Sequence, residues 1–396
     1  MIIKPRTRGF ICTTSHPVGC EAQVQEQIHY VLKQPGIEGP RNVLVIGAST
    51  GYGLSARIAA AFGARANTVG VYRPSQATEK RTASAGWYNS AAFEKAADAA
   101  GLKSYSVTGD AFTQETKAKT VELIRKELGQ VDLVVYSVAS ARRTLPETGE
   151  TVSSVLKPIG PAYTNKTVNF HTGEVTEVTI EPATEEEVKN TVEVMGGDDW
   201  ELWMNELAEG GVLAPDVTTI AFSYIGSEIT KAIYRDGSIG QAKDHLEATA
   251  LKLNEKLATG GGRAYVTVSK ALVTQSSSAI PVVPLYVSAL YKVMKEKGLH
   301  EGCIEQIYRL FSDRLYNGQE TPVDEKGRIR IDDWELREDV QAEVAELWSK
   351  VTSENIEELT DLAGYRREFF QLFGFETDGV DYDADVNPVV DNPKAI

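Results

Sequence analysis

The stretch "RNVLVIGASTGYGLSARIAAAFG", residues 41–63, decides the fold. It begins with branched apolar residues from Val43 to Ile46, a run that is too short for a helix and typical of a strand buried on both faces. A glycine-rich turn follows, and a helix comes after the turn. This order predicts the first strand–helix unit of an α/β sheet.

The alternation of strands and helices continues to residue 140. Further strands are predicted at 67–73, 102–112 and 131–140, with helices at 89–101 and 113–129. Strands that alternate with helices form a parallel sheet covered on both faces, and right-handed crossovers favour a doubly wound strand order. The predicted fold class is therefore α/β, with a Rossmann-type doubly wound parallel sheet.

After residue 140 the alternation is less regular. Residues 141–180 are predicted to form loops and a small hairpin that turns at 171–173. Later segments carry helix or strand patterns, and the remainder of the chain is predicted to be mainly helical. The predicted segments are helices at about 184–209 and 241–258 and strands at 217–226 and 263–274.

The chain has no internal repeat, no low-complexity segment and no obvious linker, which favours one elaborated domain over residues 1–396. Four parts are expected within it: a first nucleotide-binding half at 41–140, an insertion or lid at 141–215, a second half with the active site at 216–320 and a helical extension at 321–396. The acidic tail, residues 376–391, is expected to wrap the surface or to fray.

Composition limits the classes of partner. The hydrophobic fraction of 42% and the charged fraction of 24% are those of a folded protein. A net charge of −15 argues against a general nucleic-acid or anionic-membrane surface. The sequence lacks both the apolar run of a signal peptide and a stretch of about 18 apolar residues that would span a bilayer. We therefore expect a cytoplasmic protein.

Cysteine usage does not indicate a metal site. Cys12, Cys20 and Cys303 are an odd number without C-x-x-C spacing, so we expect free thiols in a reducing compartment. His16 and Cys20 lie together in "SHPVGC", but the proline and glycine of this segment favour an ordinary turn over a metal site.

The glycine-rich turn predicts a dinucleotide site. "GASTGYG" places Gly47, Gly51 and Gly53 between the first strand and the first helix. Glycines at such a turn let the backbone approach a pyrophosphate, whose charge the amides and dipole of the helix start stabilise. The alternative is a tight turn that only packs the helix on the sheet. The strand before it, the helix after it and the further units favour the dinucleotide.

The end of the second strand bears on which dinucleotide binds. NAD enzymes usually have a carboxylate there for the adenosine ribose. This chain reads "VYRPS" at 71–75 and has no carboxylate until Glu79. Arg73 beside Ser75 could hold a ribose 2′-phosphate, which makes NADPH plausible. Alternatively, Arg73 is solvated and backbone groups satisfy the ribose.

The ends of the next two strands are also candidates for contact with the cofactor. Asp110 and Ala111 end the third predicted strand, and Val138 and Ala139 end the fourth. A doubly wound sheet binds its ligand outside the carboxyl ends of its strands. These four residues are therefore expected to line the crevice.

Two tyrosine–lysine pairs are candidates for catalysis. A phenol stabilises the oxyanion that forms during hydride transfer, and a nearby ammonium lowers the phenol pKa and binds the nicotinamide ribose. Tyr234 and Lys243 lie in "IYRDGSIGQAK", 233–243, without the Y-x-x-x-K spacing of short-chain dehydrogenases, whereas Tyr291 and Lys295 have that spacing. Spacing alone leaves both pairs open. Position favours Tyr234, because it follows a predicted sheet strand and a glycine-containing loop leads to Lys243.

Longer motifs resemble one family. They are "GASTGYG", "GWYNSAAF" (86–93), "GDAF" (109–112), "VMGGDDWELW" (194–203), Tyr234-x8-Lys243, "SSAIPVVPLY" (277–286), "VMKEKGLHEGCIEQ" (293–306) and "IDDWEL" (331–336). Together they resemble the trans-2-enoyl-CoA reductase and FabV-type enoyl-ACP reductase family over about residues 5–382. The resemblance implies a monomeric, short-chain-dehydrogenase-like enzyme with enlarged substrate-binding insertions, which reduces the C2=C3 bond of trans-2-enoyl thioesters with NAD(P)H.

The resemblance also implies roles for individual residues. Tyr234 matches the proton donor, Lys243 the cofactor-binding lysine and Tyr224 the second tyrosine, which binds substrate at the thioester oxygen. The residues that match cofactor contacts are Gly47, Ala48, Ser49, Thr50, Gly51, Tyr52, Asp110, Ala111, Val138, Ala139, Leu272, Val273 and Thr274. The resemblance implies NADH as the cofactor, but Arg73-Pro74 replaces the Phe-Glu frequent in the family, which leaves NADPH open.

Several functional alternatives remain at this point. The substrate is expected to be an enoyl-CoA of fatty acid metabolism, with an enoyl-acyl-carrier-protein of fatty acid synthesis as the alternative. A carbonyl reductase that uses Tyr291 and Lys295 is a second possibility. A dinucleotide-binding sensor without catalysis is a third.

Overall fold

A seven-stranded parallel sheet lies at the centre of the computed structural model, which describes all 396 residues. Its strands are, in spatial order, β13 (Ile329–Arg330), β12 (Arg263–Val268), β11 (Leu213–Ser223), β6 (Val131–Tyr136), β3 (Asn42–Ile46), β4 (Asn67–Tyr72) and β5 (Ser104–Thr108). All neighbouring pairs are parallel. From β3 the chain moves outward to β5 and then returns to β6 on the other side, so the predicted doubly wound fold is confirmed.

Helices cover both faces of this sheet, and three hairpins lie outside it. The α-helices are α1 (Pro17–Leu32), α2 (Gly51–Ile58), α3 (Ala85–Ala99), α4 (Gln114–Glu127), α5 (Glu185–Met195), α6 (Asp198–Glu209), α7 (Ser238–Leu257), α8 (Val283–Glu296), α9 (Cys303–Arg309), α10 (Glu338–Lys350), α11 (Ile356–Leu359) and α12 (Leu362–Gln371). The hairpins pair β1 (Thr7–Arg8) with β2 (Ile11–Cys12), β7 (Arg142–Thr144) with β8 (Thr151–Ser153), and β9 (Tyr163–Asn169) with β10 (Glu174–Ile180).

The apolar run of β3 is continuous because both of its faces are buried. Val43 and Val45 join the core on one side of the sheet, and Leu44 and Ile46 join the core on the other side. A further core of 34 buried residues is built around α8 and includes residues of α10 and α12. The helices of the C-terminal part therefore pack on α8 and enlarge the domain beyond the sheet.

Several predicted boundaries were wrong. The single helix expected at 184–209 is two helices, α5 and α6, with Gly196 and Gly197 between them. A Cβ atom at Gly197 would lie 2.1 Å from Oγ1 of Thr249, so the break lies directly against α7. The strand expected at 263–274 ends at Val268, and β13 was not predicted because a two-residue strand has no periodicity to detect.

The segment "SHPVGC" begins a helix and is not an ordinary turn. His16 is the N-cap of α1, and its Nδ1 accepts a hydrogen bond of 3.1 Å from the Gly19 amide. Pro17 occupies the first helical position, where a proline's missing N–H would have no partner in any case. The prediction of a turn was therefore wrong.

The acidic tail and the residues that follow it, 376–396, pack on the surface, the last of them along the edge of the sheet. The Ser106 amide of β5 donates to the Lys394 carbonyl at 3.2 Å, and the Ile396 amide donates back to Ser106 at 3.0 Å. The Tyr88 hydroxyl of α3 donates to the Pro388 carbonyl at 2.6 Å. The tail thus covers backbone groups that an edge strand otherwise exposes. None of the helices combines the length and the apolar character that crossing a bilayer requires.

A buried ion pair joins the helices to β4 and β5. Arg57 of α2 contacts Glu94 of α3 at 3.1 Å, and both side chains are almost fully buried. The Arg57 guanidinium also donates to Thr68 Oγ1, Ser106 Oγ and the Tyr105 carbonyl. This arginine therefore satisfies polar groups from two strands and one helix, and its loss would leave a buried carboxylate without a cation.

We predict that Arg57→Met lowers the free energy of unfolding by about 3–5 kcal/mol, because it leaves the buried Glu94 carboxylate without its cation. Lys95→Met is the control, since Lys95 follows Glu94 on α3 and pairs with Glu21 at 2.8 Å with its side chain 75% exposed. The control should cost less than about 1 kcal/mol. Urea unfolding measures both, and equal losses would contradict the prediction.

Candidate active site

A cleft of about 490 Å³ lies at the carboxyl ends of the central strands. It lies where the strand order reverses between β3 and β6, which is the position at which open α/β sheets bind ligands. Most of the residues predicted from the sequence line it. They are Gly47, Ser49, Thr50, Gly51, Tyr52, Arg73, Asp110, Ala111, Val138, Ala139, Tyr224, Tyr234, Lys243 and Thr274.

Four predicted cofactor residues do not line this cleft. Ala48 is fully buried, and its amide donates to the Val71 carbonyl at 3.0 Å. Pro74 is half-buried beside the cleft, and Leu272 and Val273 are buried behind Thr274. A role for these four in cofactor binding stays a prediction.

The glycine-rich turn is held by close backbone packing. A Cβ atom at Gly53 would lie 2.0 Å from the Gly47 carbonyl oxygen, and one at Gly47 would lie 2.1 Å from the Ser137 carbonyl oxygen. Gly47 also has a φ of +86°, which disfavours any other residue. Thr50 is the N-cap of α2, and its side chain makes no capping hydrogen bond. The first amides of α2 are therefore left without a side-chain cap beside the cleft, where they suit a phosphate.

Arg73 is engaged by a carboxylate at the end of the neighbouring strand. Its Nη1 lies 3.1 Å from Oδ2 of Asp110, and its side chain is 77% exposed. The other carboxylate oxygen of Asp110 accepts a hydrogen bond from the Phe112 amide at 3.0 Å. A 2′-phosphate held by Arg73 would therefore meet the negative charge of Asp110.

A buried network fixes the backbone beside Asp110. The Lys117 ammonium donates to the Ala111 carbonyl at 3.0 Å and to Asp199 at 2.7 Å. The Trp203 indole donates to the same carbonyl at 3.0 Å, and the Tyr136 hydroxyl donates to Asp199 at 3.0 Å. These contacts keep the end of β5 in place at the cleft wall.

The local fold explains how Tyr234 and Lys243 meet without helical spacing. Tyr234 follows a short 3₁₀ turn, and Lys243 lies in the second turn of α7. Gly240 in the first turn of α7 permits the approach, because a Cβ atom there would lie 1.9 Å from the Arg235 carbonyl and 2.9 Å from that of Tyr234. The loop thus folds onto the helix start, and both side chains line one cleft.

The two tyrosines have different hydrogen-bonding states. The rings of Tyr224 and Tyr234 pack edge to face with centroids 4.7 Å apart. The Tyr224 hydroxyl donates to Oε1 of Glu335 at 3.1 Å. The Tyr234 hydroxyl makes no hydrogen bond to the protein and is free to donate into the cleft. Burial raises the pKa of Tyr234 to about 12, so it remains a phenol at neutral pH.

Lys243 is buried at the cleft with only 8% of its surface exposed. Its ammonium donates to the Phe222 carbonyl at 3.0 Å. Burial lowers the pKa of Lys243 to about 8, and Glu247 opposes this shift. The expectation that Lys243 lowers the pKa of Tyr234 was wrong, because burial dominates the titration of the phenol and raises its pKa.

The alternative pair, Tyr291 and Lys295, lies outside the cleft. Tyr291 is fully buried, and its hydroxyl donates to Oε2 of Glu368 at 2.7 Å. Lys295 pairs with Asp361 at 2.6 Å on the outside of α8. Neither residue lines the cleft, so their Y-x-x-x-K spacing follows from the amphipathic pattern of the helix.

Sequence reasoning missed several residues of the site. Phe222 stacks on Tyr52 with ring centroids 5.1 Å apart, Leu372 reaches the cleft from the end of α12, and Glu335 binds Tyr224. Only Glu335 had a signal, because it lies in the quoted motif "IDDWEL". The contacts of Phe222 and Leu372 join segments distant in sequence, which no local pattern reveals.

The cysteines do not form a metal centre. Cys12, Cys20 and Cys303 are all free thiols, and burial raises the pKa of Cys303 to about 12. No group of three or more His, Cys, Asp or Glu side chains is arranged to hold a metal ion.

Models of known families match three consecutive stretches of the chain. Residues 2–79 match the NAD(P)H binding domain of trans-2-enoyl-CoA reductase, and residues 81–316 match the trans-2-enoyl-CoA reductase catalytic region. Residues 323–386 match a family described as an enoyl reductase FAD binding domain.

Individual relatives are similar over nearly the whole chain. An enoyl-[acyl-carrier-protein] reductase [NADH] of Flavobacterium johnsoniae is 63% identical, and a trans-2-enoyl-CoA reductase [NADH] of Ruminiclostridium cellulolyticum is 59% identical, each over 98% of both chains. The structure resembles a Treponema denticola trans-2-enoyl-CoA reductase solved with NAD at 52% identity and a TM-score of 0.94, over 98% of both chains. It also resembles the Clostridium acetobutulicum enzyme solved with NADH at 46% identity and a TM-score of 0.95, again over 98% of both chains. The chain therefore belongs to the trans-2-enoyl-CoA reductase and enoyl-ACP reductase family, as its sequence motifs indicated.

Proposed function

We propose that this protein reduces the C2=C3 bond of a trans-2-enoyl thioester with a hydride from NADH. The observation that carries this proposal is one cleft that joins the glycine-rich turn before α2 to Tyr224, Tyr234 and Lys243. Relatives at 59–63% identity carry the names of NADH-dependent enoyl reductases.

The residues at the cleft fit a nicotinamide dinucleotide. The backbone from Gly47 to Gly53 has no room for a side chain at Gly47 or at Gly53 and leads into the uncapped start of α2, which suits a pyrophosphate. Lys243 is placed to bind the nicotinamide ribose. Bound NADH supplies the hydride that adds to the β carbon of the enoyl group. Asp110 beside Arg73 favours NADH over NADPH, since its charge repels a 2′-phosphate.

Tyr234 stabilises the negative charge that develops on the substrate. Addition of hydride at the β carbon places negative charge on the thioester oxygen, and the α carbon then takes a proton. Tyr234 has a free hydroxyl and donates a hydrogen bond to that oxygen, while Tyr224 packs against its ring. A donor held in place by the fold stabilises this charge more than water does.

Apolar side chains suit the acyl chain of the substrate. Leu156, Met195, Ile239, Ile280 and Leu372 line the cleft beside the tyrosines. We propose an enoyl-CoA as the substrate, with an enoyl group on acyl-carrier protein as the second candidate. Turnover of crotonyl-CoA and of the matching carrier-protein thioester separates the two carriers.

We also propose that the enzyme works as a cytoplasmic monomer and that its 396 residues form one functional unit. The four parts expected from the sequence, 41–140, 141–215, 216–320 and 321–396, would then share the cleft. Residues of the last part support this view, because Leu372 lines the cleft and Glu335 binds Tyr224.

The residues at 323–386 do not fit a flavin. They form the short strand β13 and helices α10, α11 and α12, without a glycine-rich turn between a strand and a helix. The second cavity that they border carries Glu368 together with Glu26 and Glu305, and these carboxylates would repel a pyrophosphate. We therefore assign no step of the reaction to FAD.

We predict that Tyr234→Phe lowers kcat with crotonyl-CoA by about 100-fold or more, since it removes an oxyanion donor. Binding of NADH, followed by fluorescence, should be nearly unchanged. Tyr291→Phe is the control, because it removes a phenol that lies outside the cleft. Near-normal turnover of Tyr234→Phe would contradict the assignment of the donor.

We predict that kcat/KM for NADH falls as the pH rises through about 8, because Lys243 then loses the charge that binds the ribose. The sign follows from burial, which lowers the lysine pKa and brings the loss of charge into this range. Lys243→Arg should remove the decline, since arginine stays charged. Lys252→Arg on the exposed face of α7 is the control and should retain the decline. A decline that persists in Lys243→Arg would assign the titration to another group.

We predict that the wild type prefers NADH over NADPH by at least about tenfold in kcat/KM and that Asp110→Asn narrows this ratio. The substitution removes the charge that opposes a 2′-phosphate and leaves Arg73 in place. Glu115→Gln is the matched control, because it removes an exposed negative charge from the start of α4. An unchanged ratio in Asp110→Asn would show that Asp110 does not set the preference.

A further inference from the structure

Glu335 is a buried carboxylate that reaches the active site from outside the sheet. It precedes α10, and only 1% of its surface is exposed. It belongs to the stretch 323–386, which matches the family described as FAD binding and which does not fit a flavin. A carboxylate is costly to bury without partners, so its contacts define what this segment contributes.

Three donors converge on the two oxygens of this carboxylate. Oε1 accepts from the Tyr286 hydroxyl at 2.7 Å and from the Tyr224 hydroxyl at 3.1 Å. Oε2 accepts from the Ala271 amide at 2.7 Å. Gln341 donates to the Glu335 carbonyl at 2.7 Å and helps to hold the residue in place. With Glu335 ionised, its carboxylate only accepts, so the Tyr224 and Tyr286 hydroxyls are the donors.

The surroundings of Glu335 include charges of both signs. Burial raises its pKa, whereas the Tyr286 hydroxyl, the Ala271 amide and the Lys270 ammonium favour the ionised form. The negative charge of Asp332, like burial, raises the pKa of Glu335. Two hydroxyls and one amide lie within hydrogen-bond distance of its oxygens, a set of donors that suits an ionised carboxylate.

The direction of these bonds has a consequence for Tyr224. A phenol has one hydroxyl hydrogen, and in Tyr224 this hydrogen is committed to Glu335. The oxygen of Tyr224 therefore presents lone pairs and no donor to the cleft. Tyr234 packs edge to face on the same ring and keeps its hydroxyl free.

We propose that Glu335 is a positioning residue that divides the roles of the two tyrosines. In place of the role at the thioester oxygen that the family resemblance implied for Tyr224, Glu335 holds the Tyr224 hydroxyl away from that oxygen and leaves Tyr234 as the only phenol that donates to it. This inference rests on the proposed reductase function. It assigns to the C-terminal extension the task of orienting an active-site side chain.

Glutamine at position 335 reverses the hydrogen bonds around Tyr224. The Ala271 amide still needs an acceptor, which places the amide oxygen of the new side chain at the position of Oε2. The amide nitrogen then faces the oxygens of Tyr224 and Tyr286 and donates to both. In this arrangement the Tyr224 hydroxyl hydrogen is released to the cleft and can serve the thioester oxygen.

The test is a rescue experiment with crotonyl-CoA and NADH. Tyr234→Phe is expected to be about 100-fold slower than the wild type, and adding Glu335→Gln should raise its kcat by about tenfold, since a second donor becomes available. Adding Tyr224→Phe as a third substitution should abolish this gain. A purely structural role for Glu335 predicts a loss in every background, so an absent rescue, or one that survives Tyr224→Phe, overturns the inference.

Controls distinguish a failure of the role of Glu335 from a failure of the proposed reductase function. NADH binding and thermal unfolding are measured for every variant, and if Glu335→Gln fails to fold, Glu335→Met replaces it, since it fills a similar volume and offers no acceptor. Glu343→Gln, on the exposed part of α10, is the matched control and should give no rescue. A wild type that binds NADH but leaves crotonyl-CoA unreduced would overturn the proposed function itself, whereas an active wild type without rescue overturns only the role of Glu335.

Discussion

The contact between two glycine backbones at the end of β3 is the constraint on which the site depends. A Cβ atom at Gly53 would lie 2.0 Å from the Gly47 carbonyl, so α2 can start at this place only if both positions lack a side chain. The same turn lies against Ser137 at the end of β6, the strand on the other side of the sheet reversal. This packing contact thus fixes where α2 starts, next to the cleft, where its first amides suit a phosphate.

A second close approach, at Gly240, brings the chemistry to that cleft. It lets the Tyr234 loop lie on the start of α7, so a phenol and an ammonium nine residues apart share one pocket without a helical repeat. Burial then sets their titration in opposite senses, since it disfavours the charged form of each group. The pKa of Tyr234 rises to about 12 and that of Lys243 falls to about 8, so donor and ammonium coexist near neutral pH.

The parts of this molecule that follow from local pattern could be predicted from the sequence. The apolar run of β3, the glycine-rich turn and the alternation up to β6 predicted the sheet and the place of the cleft. The contact of the break at Gly197 with Thr249 could not be predicted, because it joins helices that are distant in the sequence. The pKa of Tyr234 could not be predicted either, since the expected effect of Lys243 is local whereas burial is a property of the whole fold.

The C-terminal extension affects the active site because it buries the Glu335 carboxylate against Tyr224. Glu335 loses water on folding and is compensated by Tyr224, Tyr286 and the Ala271 amide, which come from three different segments of the chain. Removing the extension would expose the core around α8 and leave the Tyr224 hydroxyl without its acceptor. A segment that supplied only apolar cover would not need a carboxylate at this place, because apolar packing there would avoid the cost of desolvating a charge. The buried charge is therefore best explained by what it does to the direction of one hydroxyl in the cleft.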